Sequence, residues 1–119
     1  MSDKPINAEN HALIDYVFTG VQFVGPLALG LSDEASKTYQ ALGTGFLVVN
    51  ALTDTPLGVK RMIPFENHEK ADIGFLAGLS ILTFSKPIRE DKKALCFHLG
   101  MLTMAAANYF LTDYRSRRK

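Results

Sequence analysis

The sequence has little cysteine, no tryptophan and almost no net charge. Cys96 is the single cysteine among 119 residues, which excludes an internal disulfide and a zinc site built from cysteines. Thirteen Lys and Arg residues balance twelve Asp and Glu residues, and this near-neutral charge argues against a nucleic-acid-binding protein. The chain also lacks a phosphate-binding glycine loop, a His-Glu-x-x-His motif and a Gly-x-Ser-x-Gly motif. We therefore expect a single domain over 1–119 that is not an enzyme.

The charged residues are grouped, and four long stretches between them carry no charge. These stretches hold 17, 16, 13 and 19 residues, between Asp15 and Asp33, Lys37 and Asp54, Asp72 and Lys86, and Lys93 and Asp113. An amphipathic helix in water would carry polar or charged residues on its outer face every three or four positions. A membrane-spanning helix instead needs ~20 mainly apolar residues. We predict an integral membrane protein, although the mean hydropathy of +0.05 is low for four spans and keeps a soluble bundle as the alternative.

The positions of proline, of capping residues and of the uncharged stretches predict an all-α chain with four helices. We place these helices at residues 9–31, 34–53, 67–85 and 90–113. Ser32 is a typical N-cap for the second helix, and Asn67 together with Glu69 suggests the start of the third. Pro26 should kink or end the first helix near its far end. The predicted architecture is a four-helix bundle, expected to be transmembrane.

The chain ends suggest an orientation in the membrane. The first residues, Met1 to Pro5, do not resemble a signal peptide, so we expect them to stay attached. Four spans would place both ends and the central connection on one side, where basic residues are more numerous. The basic tail at 114–119 contributes most to this bias, which predicts cytoplasmic termini.

A pattern in the first half of the chain returns in the second half. His11-x-x-x-Asp15 recurs as His68-x-x-x-Asp72, and Leu52-Thr53-Asp54 recurs as Leu111-Thr112-Asp113. The simplest explanation is a duplicated helical hairpin, with repeat one at 9–54, a connection at 55–66 and repeat two at 67–113. Two copies with two spans each would insert the same way round. The Gly74-x-x-x-Gly78 motif then predicts close helix packing in the core, with a dimer interface as the alternative. Gly43-Thr-Gly45 and Ala105-Ala-Ala107 offer further small faces for tight packing.

In the four-helix arrangement, the repeated polar residues gather at the predicted cytoplasmic end. The candidate site residues are His11, Asp15, Asn50, Asp54, His68, Asp72, Asn108 and Asp113. Three interpretations stay open: a metal or haem bound by His11 and His68, a proton relay or small-cation site, and groups that only satisfy helix ends. His98 lies too far along its helix to join them, and we expect a core or lipid-facing histidine bonded to a neighbour.

These motifs together are similar to a known family. His11-x-x-x-Asp15-Tyr16, Pro26-Leu27-Ala28-Leu29-Gly30, Leu52-Thr53-Asp54, His68-x-x-x-Asp72 and His98-Leu99-Gly100 resemble the SPW-repeat proteins over residues 11–113. The tryptophan of the family's Ser-Pro-Trp motif is absent here, and Leu27 stands in its first place. The resemblance implies a small membrane protein of the bacterial inner membrane with two hairpin repeats, and it implies no activity.

We therefore predict a small integral membrane protein with a structural role or a role in binding a small ligand or ion. The alternative is a soluble four-helix bundle that binds haem or a metal through His11 and His68. The predicted partner is the lipid bilayer, a homo-oligomer stays open, and nucleic acid is not expected. No cofactor is predicted beyond the haem or metal of the alternative.

Overall fold

The computed structural model describes residues 4–115, and this part of the chain contains five helices. They are α1 (Ala8–Ala28), α2 (Asp33–Ala51), α3 (Phe65–Leu82), α4 (Lys86–Arg89) and α5 (Lys92–Leu111). The predictions about Met1 to Asp3 and about the basic tail beyond Arg115 lie outside the described residues. The prediction of an all-helical bundle is confirmed, and the short helix α4 is an addition to the four predicted helices.

The helix boundaries follow local chemistry. Ser32 accepts a hydrogen bond from the backbone N–H of Ala35 and begins α2 as predicted. Helix α1 ends two residues after Pro26, and Gly30 then adopts a left-handed φ of 66° that lets the chain turn into α2. The predicted start of the third helix at Asn67 is wrong: α3 begins at Phe65, where Pro64 supplies a preset φ in place of a side-chain cap.

Two hairpins, α1 with α2 and α3 with α5, pack against each other around aromatic side chains. The rings of Phe46 and Phe75 stack with centroids 3.8 Å apart, and Phe18 meets Phe46 edge-on at 5.0 Å. Leu79 and Met101 complete this buried layer. Stacked and edge-on pairs are the favourable arrangements of aromatic rings, so this layer fixes how the hairpins face each other.

The glycines of α3 do not pack in the core. A Cβ atom built on Gly74 or Gly78 would meet no other group within 4 Å. The prediction that this motif supports packing inside the bundle is therefore wrong, and these glycines lie on the outer side of α3. A close helix approach occurs at Gly43, as predicted, where a Cβ would come within 3.3 Å of Gln22 and Phe23 on α1.

Both ends of the described chain lie at the same end of the bundle. Ile6 pairs with Thr112 in an isolated parallel β-bridge, and Ile63 pairs with Thr53 in the same way. In each bridge, the residue before one hairpin meets the residue after the other. The bridges thereby hold the starts of α1 and α3 beside the ends of α5 and α2.

The helices expose apolar side chains and bury many polar ones. The apolar side chains with large exposed fractions on the long helices include Leu13, Val17, Val24, Leu27, Val48, Ile73, Ile81 and Phe110. The buried polar residues include His11, Asp15, Gln22, Asn50, His68, Asp72, His98 and Asn108. Apolar residues such as Phe18, Tyr39 and Leu79 are buried beside them, so the core is a mixture of apolar and polar side chains.

One helix among the described residues, Lys92–Leu111, is long and apolar enough by composition to cross a membrane. All charged residues of the four long helices lie within the first eight residues of their helix. The remainder of each helix is uncharged.

Candidate metal centre

Four predicted site residues from two helices meet in a buried cluster, which we call the tetrad. His11 and Asp15 lie one turn apart on α1, and His68 and Asp72 are spaced in the same way on α3. All four are buried, with at most 6% of each residue exposed. Because residues four apart share a helical face, each helix presents one imidazole and one carboxylate to the other.

In the tetrad, the Nε2 atoms of the two histidines alternate with the carboxylates of the two aspartates around a closed ring. His11 Nε2 lies 3.1 Å from Asp15 Oδ2 and 3.0 Å from Asp72 Oδ2. His68 Nε2 lies 3.1 Å from Asp15 Oδ2 and 3.1 Å from Asp72 Oδ1. One atom from each residue can be chosen such that all four lie within 4.8 Å of one another.

Two threonine hydroxyls hold the outer edges of the imidazoles. Nδ1 of His68 lies 2.7 Å from Thr53 Oγ1, and Nδ1 of His11 lies 2.7 Å from Thr112 Oγ1. Thr53 donates its only hydroxyl proton to the backbone carbonyl of Val49, and Thr112 donates its own to that of Asn108. Each hydroxyl oxygen can therefore only accept from an imidazole, so both Nδ1 atoms carry a proton. The Nε2 atoms are left to face the carboxylates.

Nε2 of His11 has two carboxylate oxygens nearby but no hydrogen bond of acceptable direction. Both oxygens therefore lie off the direction in which this nitrogen would donate. A buried ring nitrogen without a hydrogen-bond partner is unusual in a native structure, because an unpaired buried polar atom is costly. Nε2 of His11 is thus a possible ligand atom for a small ion held by the four residues.

Further polar groups fix the carboxylates from outside the ring. Asn108 donates its side-chain N–H to Asp15 Oδ1 at 2.9 Å, and Tyr114 donates its hydroxyl to Asp72 Oδ2 at 2.5 Å. Burial, followed by the charge of Asp72, raises the pKa of Tyr114 far above its usual range, so this hydroxyl remains a donor. Asn50 donates to the backbone carbonyl of Ala12 and links α2 to α1 beneath the tetrad.

The two halves of the chain contribute matching contacts at this end of the bundle. The backbone N–H of Asp54 donates to the carbonyl of Ile63, and that of Asp113 donates to the carbonyl of Ile6. Each backbone bridge places a threonine beside the histidine that begins the opposite hairpin. The tetrad needs both hairpins, because each hairpin supplies one histidine and one aspartate. Each hairpin also supplies the threonine that bonds to the other hairpin's histidine.

Two of the predicted aspartates do not join the tetrad. Asp54 and Asp113 follow the threonines, and both are partly exposed at the bundle end. Asp113 accepts a hydrogen bond from the backbone N–H of Arg115. Sequence reasoning missed Thr53, Thr112 and Tyr114, although the repeated Leu-Thr-Asp triplet contained a signal for both threonines.

His98 lies in a separate polar layer, as predicted. Its Nε2 is 2.6 Å from the backbone carbonyl of Leu79, so Nε2 must carry a proton and donate. Nδ1 then accepts from the hydroxyl of Tyr39 at 2.6 Å. The prediction of a core histidine bonded to its neighbours is confirmed.

A cleft opens beside the tetrad, lined by α1, α3 and α5 and by Phe46 of α2. Asp15 and Asp72 form part of its wall, together with Asn108. The rest of the lining is largely apolar and includes Phe18, Phe75 and Ala105. The carboxylates of the tetrad are thus reachable from one side of the bundle.

Comparison with family models, with curated proteins and with solved structures finds no match to this chain.

Proposed function

We propose that this chain is an integral membrane helical bundle that binds one divalent transition-metal ion at the tetrad. The observation that carries the metal site is that Nε2 of His11, which makes no hydrogen bond of acceptable direction, and three other possible ligand atoms lie buried within 4.8 Å of one another. The threonine hydroxyls keep a proton on Nδ1 of both histidines, so Nε2 is the ring atom that would bind a metal after giving up any proton it shares with the carboxylates.

The charges of the tetrad also favour a cation. Two neutral imidazoles and two carboxylates carry a charge of minus two in a buried site, which is costly unless it is compensated. A divalent ion cancels this charge. Protonation of both histidines would also cancel it, and this competing state would give a buried ionic cluster without a metal.

The donor set suits zinc or a similar ion better than haem. Nitrogen and carboxylate oxygen bind Zn²⁺ at ~2.0–2.2 Å in tetrahedral sites, where neighbouring ligand atoms lie roughly 3.3 Å apart. The nitrogen–oxygen separations of 3.0 to 3.1 Å in the tetrad are close to that spacing. The imidazole centroids are only 5.1 Å apart, and the two aspartates lie between the rings, where a porphyrin would need room.

The membrane location is supported by the surface of the long helices. Val17, Val24, Ile81 and Phe110 expose more than half of their surface, while the charged residues remain at the helix starts. Hydrocarbon covers such a surface at lower free energy than water does. The matching contacts of the two halves support the proposed hairpin duplication, and the resemblance to the SPW-repeat proteins agrees with an inner-membrane protein whose termini are cytoplasmic.

Metal titration tests the proposed site. We expect the purified protein to bind one Co²⁺ per chain, with visible absorption bands typical of a four- or five-coordinate ion, and Zn²⁺ to displace it. Asp15→Asn and Asp72→Asn should each weaken binding at least tenfold, because each removes a charged ligand.

The matched control is Asp113→Asn, which changes the same chemistry at the same end of the bundle but outside the tetrad. It should bind Co²⁺ as the unaltered protein does. A protein that binds no Co²⁺, or whose binding is equally weakened by Asp113→Asn, would refute the proposal.

A further inference from the structure

The cleft beside the tetrad has a structural origin in the difference between α2 and α5. Phe46 lies seven residues before Thr53, and its ring fills the space against Phe18 and Phe75. Seven residues before Thr112, the corresponding position on α5 is Ala105. Ala105 lines the cleft, so an aromatic ring is missing on this side of the bundle.

The inner wall of the cleft offers hydrogen-bond acceptors. Asp15 and Asp72 contribute carboxylates, while Asn108 has turned its amide N–H groups toward Asp15. The side-chain oxygen of Asn108 makes only a long contact of 3.4 Å with the hydroxyl of Thr112. A ligand that matches this wall therefore needs a donor group, since an acceptor would face carboxylate oxygens with no proton between them.

The charge balance selects a neutral ligand. With a divalent ion in the tetrad, the two carboxylates are already compensated, so a charged ligand would bring an unbalanced charge into an apolar cleft. A hydroxyl group is neutral and can donate to a carboxylate oxygen. The remaining lining is apolar, and a ring or short hydrocarbon body would replace the aromatic side chain that Ala105 lacks.

We propose that the cleft binds a neutral, apolar molecule that carries one hydroxyl group, with the hydroxyl donating to Asp15 or Asp72 and the apolar body lying against Phe46, Phe75 and Ala105. This inference rests on the proposed metal site, since the metal makes the cleft neutral. The cleft then serves as a binding site whose occupant is sensed by the metal through a shared carboxylate.

Benzyl alcohol is a suitable probe because it joins one aromatic ring to one hydroxyl group. We expect it to shift the visible absorption bands of the Co²⁺-loaded, detergent-solubilised protein in a saturable way. Toluene, which lacks the hydroxyl, should require at least tenfold higher concentration for any comparable shift. Ala105→Phe should abolish the response to benzyl alcohol while still binding one Co²⁺ per chain, because the new ring fills the cleft.

The matched control is Ala107→Phe, which places the same ring on the exposed face of α5. It should respond to benzyl alcohol as the unaltered protein does. Ala105→Leu is the second variant, with a smaller side chain that should weaken the response at least tenfold even if the phenylalanine prevents folding.

The outcomes separate this inference from the proposed function. Absence of Co²⁺ binding in the unaltered protein would overturn both. Normal Co²⁺ binding with an equal response from toluene, or with an undiminished response in the Ala105→Leu variant, would overturn the cleft ligand and leave the metal site standing.

Discussion

Thr53 and Thr112 each use one hydroxyl group for two contacts. The proton satisfies a carbonyl in the last turn of a helix, and the oxygen receives the Nδ1 proton of a histidine on the opposite hairpin. This arrangement fixes the ring orientation and the tautomer together. The threonines thereby position the histidines without entering the tetrad.

Replacement of Thr112 by valine tests this role. Valine keeps the branched shape but removes the acceptor for the Nδ1 proton of His11, so the imidazole loses its fixed tautomer. Loss of such an outer hydrogen bond typically costs ~10–100-fold in metal affinity. We expect a loss in this range for Thr112→Val, measured by competition between the protein and a chromophoric chelator for Zn²⁺.

Thr112→Ser provides the control, because serine keeps the hydroxyl group. It should restore most of the affinity that valine loses. If the valine and serine variants bind Zn²⁺ equally well, the hydroxyl has no part in positioning His11.

At the scale of single residues, the sequence predicts the four residues of the tetrad but not the threonines and the tyrosine that hold them in place. The spacing of His11 with Asp15 and of His68 with Asp72 places both pairs on helical faces, and the structure joins those faces. In the repeated Leu-Thr-Asp triplet, the sequence points to the aspartate as the site residue. The threonine is instead the residue whose side chain turns toward the tetrad. A charged side chain at a helix end reaches water easily, whereas the inward direction depends on the β-bridges to Ile6 and Ile63, which no local pattern reveals.

At the scale of elements, close packing between α1 and α2 depends on Gly43. A larger side chain there would push against Cβ of Gln22, which moves only with the backbone. Gly78 on α3 has open space around it. Gly78 therefore leaves room for a larger side chain and Gly43 does not, although both lie within uncharged helical stretches.

Leucine substitutions at these two positions should separate their roles. Overpacking a well-filled core costs typically ~1–3 kcal/mol, so Gly43→Leu should lower the free energy of unfolding by about that amount. Gly78→Leu should leave the monomer's stability within about 0.5 kcal/mol, as expected for a surface substitution. Unfolding by a denaturing detergent, followed by circular dichroism, measures both.

The opposite order of stability for these two variants would contradict this packing. A Gly78→Leu variant less stable than Gly43→Leu would mean that α3 uses its outer glycines for a contact, such as one with a second copy of the chain. A stability that falls with dilution in that variant alone would identify the second copy.

Helix positions were more predictable from the sequence than helix contacts. Long uncharged stretches bounded by caps and prolines located all four long helices, because backbone hydrogen bonding and local propensity determine these elements. The single turn Lys86–Arg89 was missed, since four residues carry no measurable periodicity. The outward direction of Gly74 and Gly78 was also missed, because a motif of small residues shows where helices can approach but not which side they use.

At the scale of the whole molecule, exposed apolar side chains are combined with a core that is partly polar. Among residues 4–115, thirteen polar or charged residues are buried beside thirteen apolar ones, and they include the tetrad and the Tyr39-bonded His98. Buried polar side chains lower the mean hydropathy of the chain, so its value of only +0.05 does not by itself argue against the proposed membrane location. Mean hydropathy counts inward-facing and outward-facing residues alike. It therefore underestimates how apolar the surface is when a bundle places polar residues inside.

A substitution at Val17 can distinguish whether lipid or water surrounds the bundle. It lies near the middle of α1, and 55% of its surface is exposed. In a bilayer, a lysine near the middle of a spanning helix costs ~2.5–3.5 kcal/mol on insertion scales. In water, the same substitution on an exposed helical face would change stability by less than about 0.5 kcal/mol.

We therefore expect Val17→Lys to reduce the fraction of protein that remains in carbonate-washed membranes, while the unaltered protein stays there fully. Val59→Lys is the matched control, because Val59 is 83% exposed in the connection between α2 and α3, outside the helices. It should remain in the membrane. If the unaltered protein is released by carbonate, and Val17→Lys purifies without detergent as a folded monomer, water rather than lipid surrounds the helices and the membrane assignment is wrong.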